Sequence, residues 1–114
     1  MTIDQTFLNK FTKGDTKKMQ RYIMMYLEMA PKSFADMQED LNKKDWEHLR
    51  IHAHSLKPQV EFMGIAELLE LLIKIEDSIK ANQISEVPSL FKNAYELQIE
   101  SQSALQKILD EIEI

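Results

Sequence analysis

The sequence predicts an all-α fold, an antiparallel up-down four-helix bundle with a short additional N-terminal helix. Three observations carry this reading. Only two glycines and three prolines occur in 114 residues, too few for a β-rich chain with many turns. The apolar residues recur at helical spacing almost from end to end. The segments between these stripes are short, which makes long helices antiparallel neighbours.

The first helix holds Ile3, Phe7, Leu8 and Phe11 and ends near Gly14. Asp15 caps the second, whose stripe runs Met19, Tyr22, Ile23, Tyr26 and Leu27. Pro31 either kinks this helix or splits it, and the pattern resumes with Phe34, Met37 and Leu41. Asp45 caps the third. Its apolar residues Trp46, Leu49, Ala53, Leu56, Val60 and Met63 are spaced 3, 4, 3, 4, 3, a strict packing stripe. Gly64 punctuates it, and Ile65, Leu68, Leu69, Leu72, Ile75 and Ile79 form the fourth. Ser85 opens the last helix with Pro88 in its first turn. Leu90, Phe91, Ala94, Leu97, Ile99, Leu105, Ile108 and Leu109 carry it to the C-terminus. The seven methionines are expected to fill gaps in this core.

The length suits one domain, 1–114, with a core of its own. The net charge is −5 with acids and bases interspersed, so the basic footprint of a nucleic-acid binder is missing. Cysteine is absent, which excludes disulfides and thiolate metal sites. The N-terminus lacks the apolar core of a signal peptide, and no apolar run approaches a membrane span. A cytoplasmic protein with no membrane partner is expected.

Chemistry concentrates around His54. On a helical wheel of about 100° per residue, Ala53 lies on the core stripe and His54 just off it, facing water. Lys57 is about 60° away, one turn along the same surface, whereas His52 is about 160° from His54. With a turn at Gly64 and Ile65, residues whose numbers sum to about 130 lie level in the hairpin of helices three and four. That pairs His54 with Glu76, which sits at the margin of the seam. A carboxylate there accepts a proton from His54 Nδ1 and leaves Nε2 unprotonated and outward, as a nucleophilic imidazole requires. Lys57 offers positive charge to an arriving anion. The bland alternative stays open at this point: a half-buried histidine packing at a seam, with an ordinary surface acid opposite and Lys57 a solvated flank. His48 and His52 read as structural or surface residues, His48 with no obvious partner.

The stretch AHSLKPQVEFMG, residues 53–64, resembles the signature of histidine-containing phosphotransfer (HPt) domains: Ala-His-x-Leu-Lys-Gly, with a second glycine ten residues after the histidine. Ala53, His54, Leu56, Lys57 and Gly64 match, and the family's four-helix bundle agrees with the helical pattern from about Asp15 onward. The resemblance implies that His54 is the phosphoacceptor, that Lys57 helps neutralise the phosphate, and that Glu76 is the acid that orients the imidazole. Pro58 departs from the family's usual glycine. It either preserves access to the imidazole with a compact ring while setting the helix curvature, or is a tolerated kink without functional meaning. Glu61 is a second departure, two turns beyond His54 on the same side.

The function expected is that of a freestanding phosphorelay intermediate, moving a phosphoryl group between aspartates of response-regulator receiver domains. A hybrid or sensor histidine kinase stands upstream. The sequence shows neither a Gly-rich phosphate loop nor a Mg²⁺-binding acidic cluster, so a carrier rather than an autonomous enzyme is expected. It needs no cofactor of its own, Mg²⁺ being held by the partner receiver. A monomer is expected, docking through Arg50, Ile51 and Tyr22 or Met25. The alternative is a helical adaptor in which His54 only packs. A metal-binding bundle using His48, His52, His54 and glutamates is disfavoured, because the His52 and His54 side chains diverge and no Glu-x-x-His pair is repeated.

Overall fold

The computed structural model describes residues 3–112. It contains α1 (Thr6–Thr12), α2 (Thr16–Asn42), α3 (Trp46–Phe62), α4 (Ala66–Lys80), a 3₁₀ turn (Ile84–Glu86) and α5 (Val87–Ile112). Helices α2 to α5 close a ring in which α2 packs on α3, α3 on α4, α4 on α5 and α5 back on α2, while α1 lies against α2. The result is a rod of 46 × 21 × 21 Å. This is the up-down bundle with an N-terminal addition that the apolar period predicts.

The helix starts follow the capping chemistry read from the sequence. Asp15 accepts from the backbone N–H groups of Lys17 and Lys18, and Asp45 from that of His48. Pro31 does not split α2, which runs unbroken through it. The last helix departs from expectation: Ser85 lies inside the 3₁₀ turn, and α5 opens at Val87 with Pro88 in its first turn. Ile3 precedes α1 rather than joining it.

Four helices end the same way. The residues Lys13, Lys44, Gly64 and Asn82 adopt positive φ. The following N–H bonds five residues back in each case, as Asp45 does to Asp40 at 2.8 Å and Ile65 to Val60 at 3.2 Å. These are Schellman closures, which turn the chain sharply and satisfy the last carbonyls. Three of the four are made without glycine, at the cost of left-handed strain. Gly64 is the exception for a steric reason. Asp4 donates its N–H to the Gly64 carbonyl at 2.9 Å, and a Cβ on Gly64 would stand 1.7 Å from the Asp4 carbonyl oxygen.

The core runs the length of the rod, from Leu8 and Met63 through Ile23, Leu56 and Leu68 to Phe34, Leu49 and Phe91. A polar contact is sealed within it: the Tyr26 hydroxyl donates to Gln98 Oε1 at 3.2 Å, joining α2 to α5, and Ser101 donates to the Gln98 carbonyl at 2.8 Å. Two expectations for apolar residues fail. Ile99 is exposed, displaced from the α5 stripe that buries Gln98 and Ser101 in its place. Met19, Met37 and Met63 are core residues, but Met24 and Met25 are exposed on α2.

The Asp4 contact generates a prediction. Gly64→Ala destabilises the protein by about 1–3 kcal/mol, the range for a non-glycine residue forced into a disfavoured backbone region, and frees residues 3–12 from the α3–α4 turn. Gly14→Ala, where a Cβ meets nothing within 4 Å, costs less. Urea unfolding with amide exchange across α1 measures both. Equal costs at the two glycines refute the role given to Asp4.

Candidate functional site

Helix α3 presents Arg50, His54, Lys57 and Glu61 along one exposed edge, three or four residues apart. Antiparallel pairing with α4 sets Glu76 opposite His54, and the hydrogen bond from His54 Nδ1 to Glu76 Oε1 is 2.9 Å long. The side chains differ sharply in exposure, 63% for His54 against 3% for Glu76. The hairpin register read from the sequence therefore holds, with one correction. Glu76 is not at the margin of the seam but within it, between Ile75 and the buried Ser78.

A buried carboxylate needs partners, and Glu76 has three. Lys57 Nζ is 2.6 Å from Oε2, and Lys80 Nζ is 3.2 Å from Oε1, the oxygen that also accepts from His54. The Lys57 contact is an ion pair without hydrogen-bond alignment, so Oε2 has no directional donor. Burial alone pushes the Glu76 carboxyl upward. The positive charges of Lys57 and Lys80 and the bond from His54 outweigh burial and hold it down at about 2. Glu76 is thus an anion at every physiological pH. An anion accepts but does not donate, so His54 Nδ1 carries the proton and the lone pair of the neutral ring is on Nε2.

Lys57 stands where the sequence places it, one turn from His54, but it is engaged with Glu76 rather than free. Its side chain is 25% exposed, so its charge still reaches solvent. Lys80 was not singled out from the sequence. Its signal is the i, i+4 spacing from Glu76 on α4, one among many acid–lysine spacings in this chain. The other two histidines are both partnered. His48 Nδ1 lies 2.7 Å from Asp45 Oδ2 and His52 Nδ1 2.5 Å from Asp40 Oδ2. The expectation that His48 lacks a partner is corrected by its own helix cap, Asp45. Among the described residues, no group of three or more His, Asp or Glu is placed to hold a metal ion.

Beside His54 on α3 lies Pro58, exposed, with the helix continuing through it to Phe62. Pro58 borders an apolar groove of about 430 Å³ between α2 and α3, lined also by Phe11, Tyr22, Met25, Met29 and Phe62. Phe62 was not singled out from the sequence. It is the hub of an aromatic cluster, with ring centres 5.3 Å from Phe7, 5.1 Å from Phe11 and 5.4 Å from Tyr22, all in the edge-on geometry that aromatic pairs favour.

Residues 21–113 match the Hpt domain family. The chain belongs to that family. It is accordingly a histidine phosphotransfer protein of a two-component phosphorelay, working between kinases and response regulators as a phosphocarrier, not a kinase. Its structure is similar to the crystal structure of histidine-containing phosphotransfer protein B (HptB) from Pseudomonas aeruginosa PAO1. The TM-score is 0.88 over 96% of this chain and 95% of that one, at 16% sequence identity, a likeness of fold. No curated protein sequence matches the chain. No helix among the described residues is long and apolar enough to cross a membrane.

The depressed Glu76 carboxyl makes a signed prediction. A carboxylate held below its unfolded value of 4.5 stabilises the fold above that pH, and the contribution is lost as pH falls toward 2. Glu76→Gln is expected to cost on the order of 2–3 kcal/mol at pH 7, with the difference from wild type shrinking steadily between pH 4.5 and 2. Urea unfolding at several pH values measures it. A difference independent of pH contradicts the charged pairing.

Proposed function

We propose that His54 is the phosphoacceptor and that it exchanges a phosphoryl group with aspartates of receiver domains. The observation that carries this is the bond from His54 Nδ1 to the buried Glu76, which leaves Nε2 as the outward lone pair on an exposed ring.

The exchange balances without any proton leaving the ring. The Nε2 lone pair attacks the phosphorus of an aspartyl phosphate, the N–P bond forms, and the P–O bond to the aspartate breaks, returning its carboxylate. The imidazole thereby gains positive charge while keeping its proton on Nδ1. Glu76, already ionised and 2.9 Å away, offsets that charge as it develops, which is differential stabilisation of the reacting state. The phosphoryl group arrives beside Lys57 and Lys80, whose two positive charges exceed the single negative charge of Glu76 between them. Transfer onward is the reverse sequence on a second aspartate. Mg²⁺ held by the receiver would supply charge neutralisation of the phosphate oxygens, while this chain supplies a positioned nucleophile and needs no cofactor or ATP site of its own.

Docking uses the edge of α3 around His54 together with the neighbouring groove. Ile51 and Met25 are exposed apolar residues on that side, and Pro58 joins the imidazole to the aromatic wall. Arg50 is held by Glu47, with Nη2 2.5 Å from Oε1, so among the expected docking residues its charge is already paired. Pro58 supports the access reading, since its compact ring borders the groove without reaching over the imidazole. We place the protein in the cytoplasm as a monomer, where receivers and kinase output domains are found. A helical adaptor without phosphotransfer has no use for a buried anion aimed at an exposed histidine.

Incubation with a phosphorylated receiver tests the assignment. Wild type acquires an acid-labile, base-stable phosphate, and His54→Gln acquires none while its stability changes by about 0.5 kcal/mol, as for surface residues. Continued labelling of His54→Gln would refute the site. Lys57→Ala is expected to slow transfer at least tenfold while remaining folded, because Lys80 and His54 still hold Glu76. Wild-type transfer and phosphohistidine lifetime in Lys57→Ala remove Lys57 from the mechanism.

A further inference from the structure

Phosphotransfer leaves two histidines unused. His48 and His52 are four residues apart on α3, so they share a face one turn apart. Their ring centres are 6.4 Å apart, with the planes inclined by 36°. This face is not the one that carries His54. His52 meets Asp40 of α2, whereas His54 meets Glu76 of α4.

Both rings are held in the same way. His48 Nδ1 donates to Asp45, and His52 Nδ1 donates to Asp40. A carboxylate fixes each proton on Nδ1, and the lone pair of the neutral ring is then on Nε2. Their side chains are 63% and 37% exposed, so solvent reaches both rings. An imidazole that donates Nδ1–H to a carboxylate and offers Nε2 is the form in which histidine ligates a transition metal, the carboxylate fixing the tautomer and raising the basicity of the ligand. A packing or capping role for either residue does not require the arrangement twice, one turn apart.

We propose that His48 and His52 bind one divalent transition-metal ion through their Nε2 atoms, with Asp45 and Asp40 as outer partners and water completing the coordination. Two imidazoles select ions of the zinc, nickel and copper class over magnesium or calcium, which prefer oxygen. A tetrahedral ion with bonds of about 2.0–2.1 Å sets the ring centres roughly 5 Å apart. The rings therefore close by about 1 Å on binding, and His48, the more exposed, supplies the movement. The ion ties the end of α2 to the first turns of α3 through the path Asp40, His52, ion, His48, Asp45. It stiffens the helix that presents His54 without touching the phosphoacceptor.

Calorimetric titration of the purified chain with Cu²⁺, Ni²⁺ and Zn²⁺ tests this, with NMR of the imidazole nitrogens. One ion per chain is expected, Cu²⁺ binding most tightly, with the Nε2 signals of His48 and His52 moving together. His48→Gln and His52→Gln are each expected to weaken binding at least tenfold. Asp40→Asn is expected to weaken it about tenfold, the lower end of the 10–100-fold range for outer-shell partners, because asparagine still accepts. His54→Gln leaves affinity unchanged. His48→Gln decides the matter even where His52→Gln loosens the α2–α3 contact, since His48 bonds only within its own helix start. Unchanged affinity in His48→Gln, loss of binding in His54→Gln, or no binding by wild type overturns the proposal. Phosphate acceptance is not a readout here, so this inference and the proposed function fail separately.

Discussion

The buried charge of Glu76 is the constraint on which the site depends. A carboxylate removed from water costs several kcal/mol unless its partners are in place. Its partners come from two helices: His54 and Lys57 from α3, and Lys80 from one turn along α4. Sliding α3 by one turn against α4 would strand the anion, so the ion cluster and the apolar stripe specify the same register. The requirement that secures the register also prepares the chemistry. The anion fixes the imidazole tautomer, and the two lysines recruited to neutralise it leave a local excess of one positive charge beside the exposed ring, where the proposed mechanism receives a phosphoryl group. Arg50 adds to this field, its guanidinium feeling Glu76 as well as Glu47.

Pro58 acquires a physical meaning from its surroundings. Proline inside a helix removes the bond to the carbonyl four residues back, here that of His54. The turn concerned is exposed, where water replaces a lost bond at least cost, and α3 continues to Phe62. The ring lines the groove, so the apolar surface that holds the aromatic cluster of α1, α2 and α3 comes within about one helical turn of the imidazole in sequence. A glycine would leave space there. Proline instead adds apolar surface of fixed shape to the groove, which suits the docking role proposed for this edge.

The helices and the His54–Glu76 pairing were legible because both follow from periodicity. A 3, 4, 3, 4 stripe names its buried face, and a short turn pairs levels across a hairpin. What the sequence did not disclose depends on three-dimensional neighbours with no repeat to mark them. Lys80 has no special spacing until Glu76 is known to be buried. Phe62 lies outside the core stripe of α3, and its value comes from Phe7 and Phe11, contributed by a helix fifty residues away in sequence. Gln98 and Ser101 are polar residues outside the apolar pattern of α5, whereas Ile99 belongs to it, yet the first two are buried and Ile99 is exposed. Tyr26 accounts for this, because its buried hydroxyl needs an acceptor and finds Gln98. Helix ends at Lys44 and Asn82 carry no glycine to announce them, since a lysine or asparagine there accepts left-handed geometry when tertiary packing compensates the strain.

The two ends of the motif around His54 do different work, and α1 shows what the glycine end contributes. Gly64 is ten residues, nearly three turns, from the imidazole and is not part of the cluster around Glu76. Its missing side chain admits the backbone of Asp4, whose N–H bonds the Gly64 carbonyl. That contact fixes the chain just before α1 and lays Phe7 and Phe11 on Phe62. Phe11 and Phe62 are the far wall of the groove that begins at Pro58. Along one face of α3 the sequence thus sets the exposed imidazole proposed as the nucleophile, the lip of the apolar groove and a wall of that groove. The glycine that closes the helix determines where the wall stands. The reach from His54 to Phe62 is eight residues, about 12 Å of helix, a span that matches a contact surface rather than a reaction site.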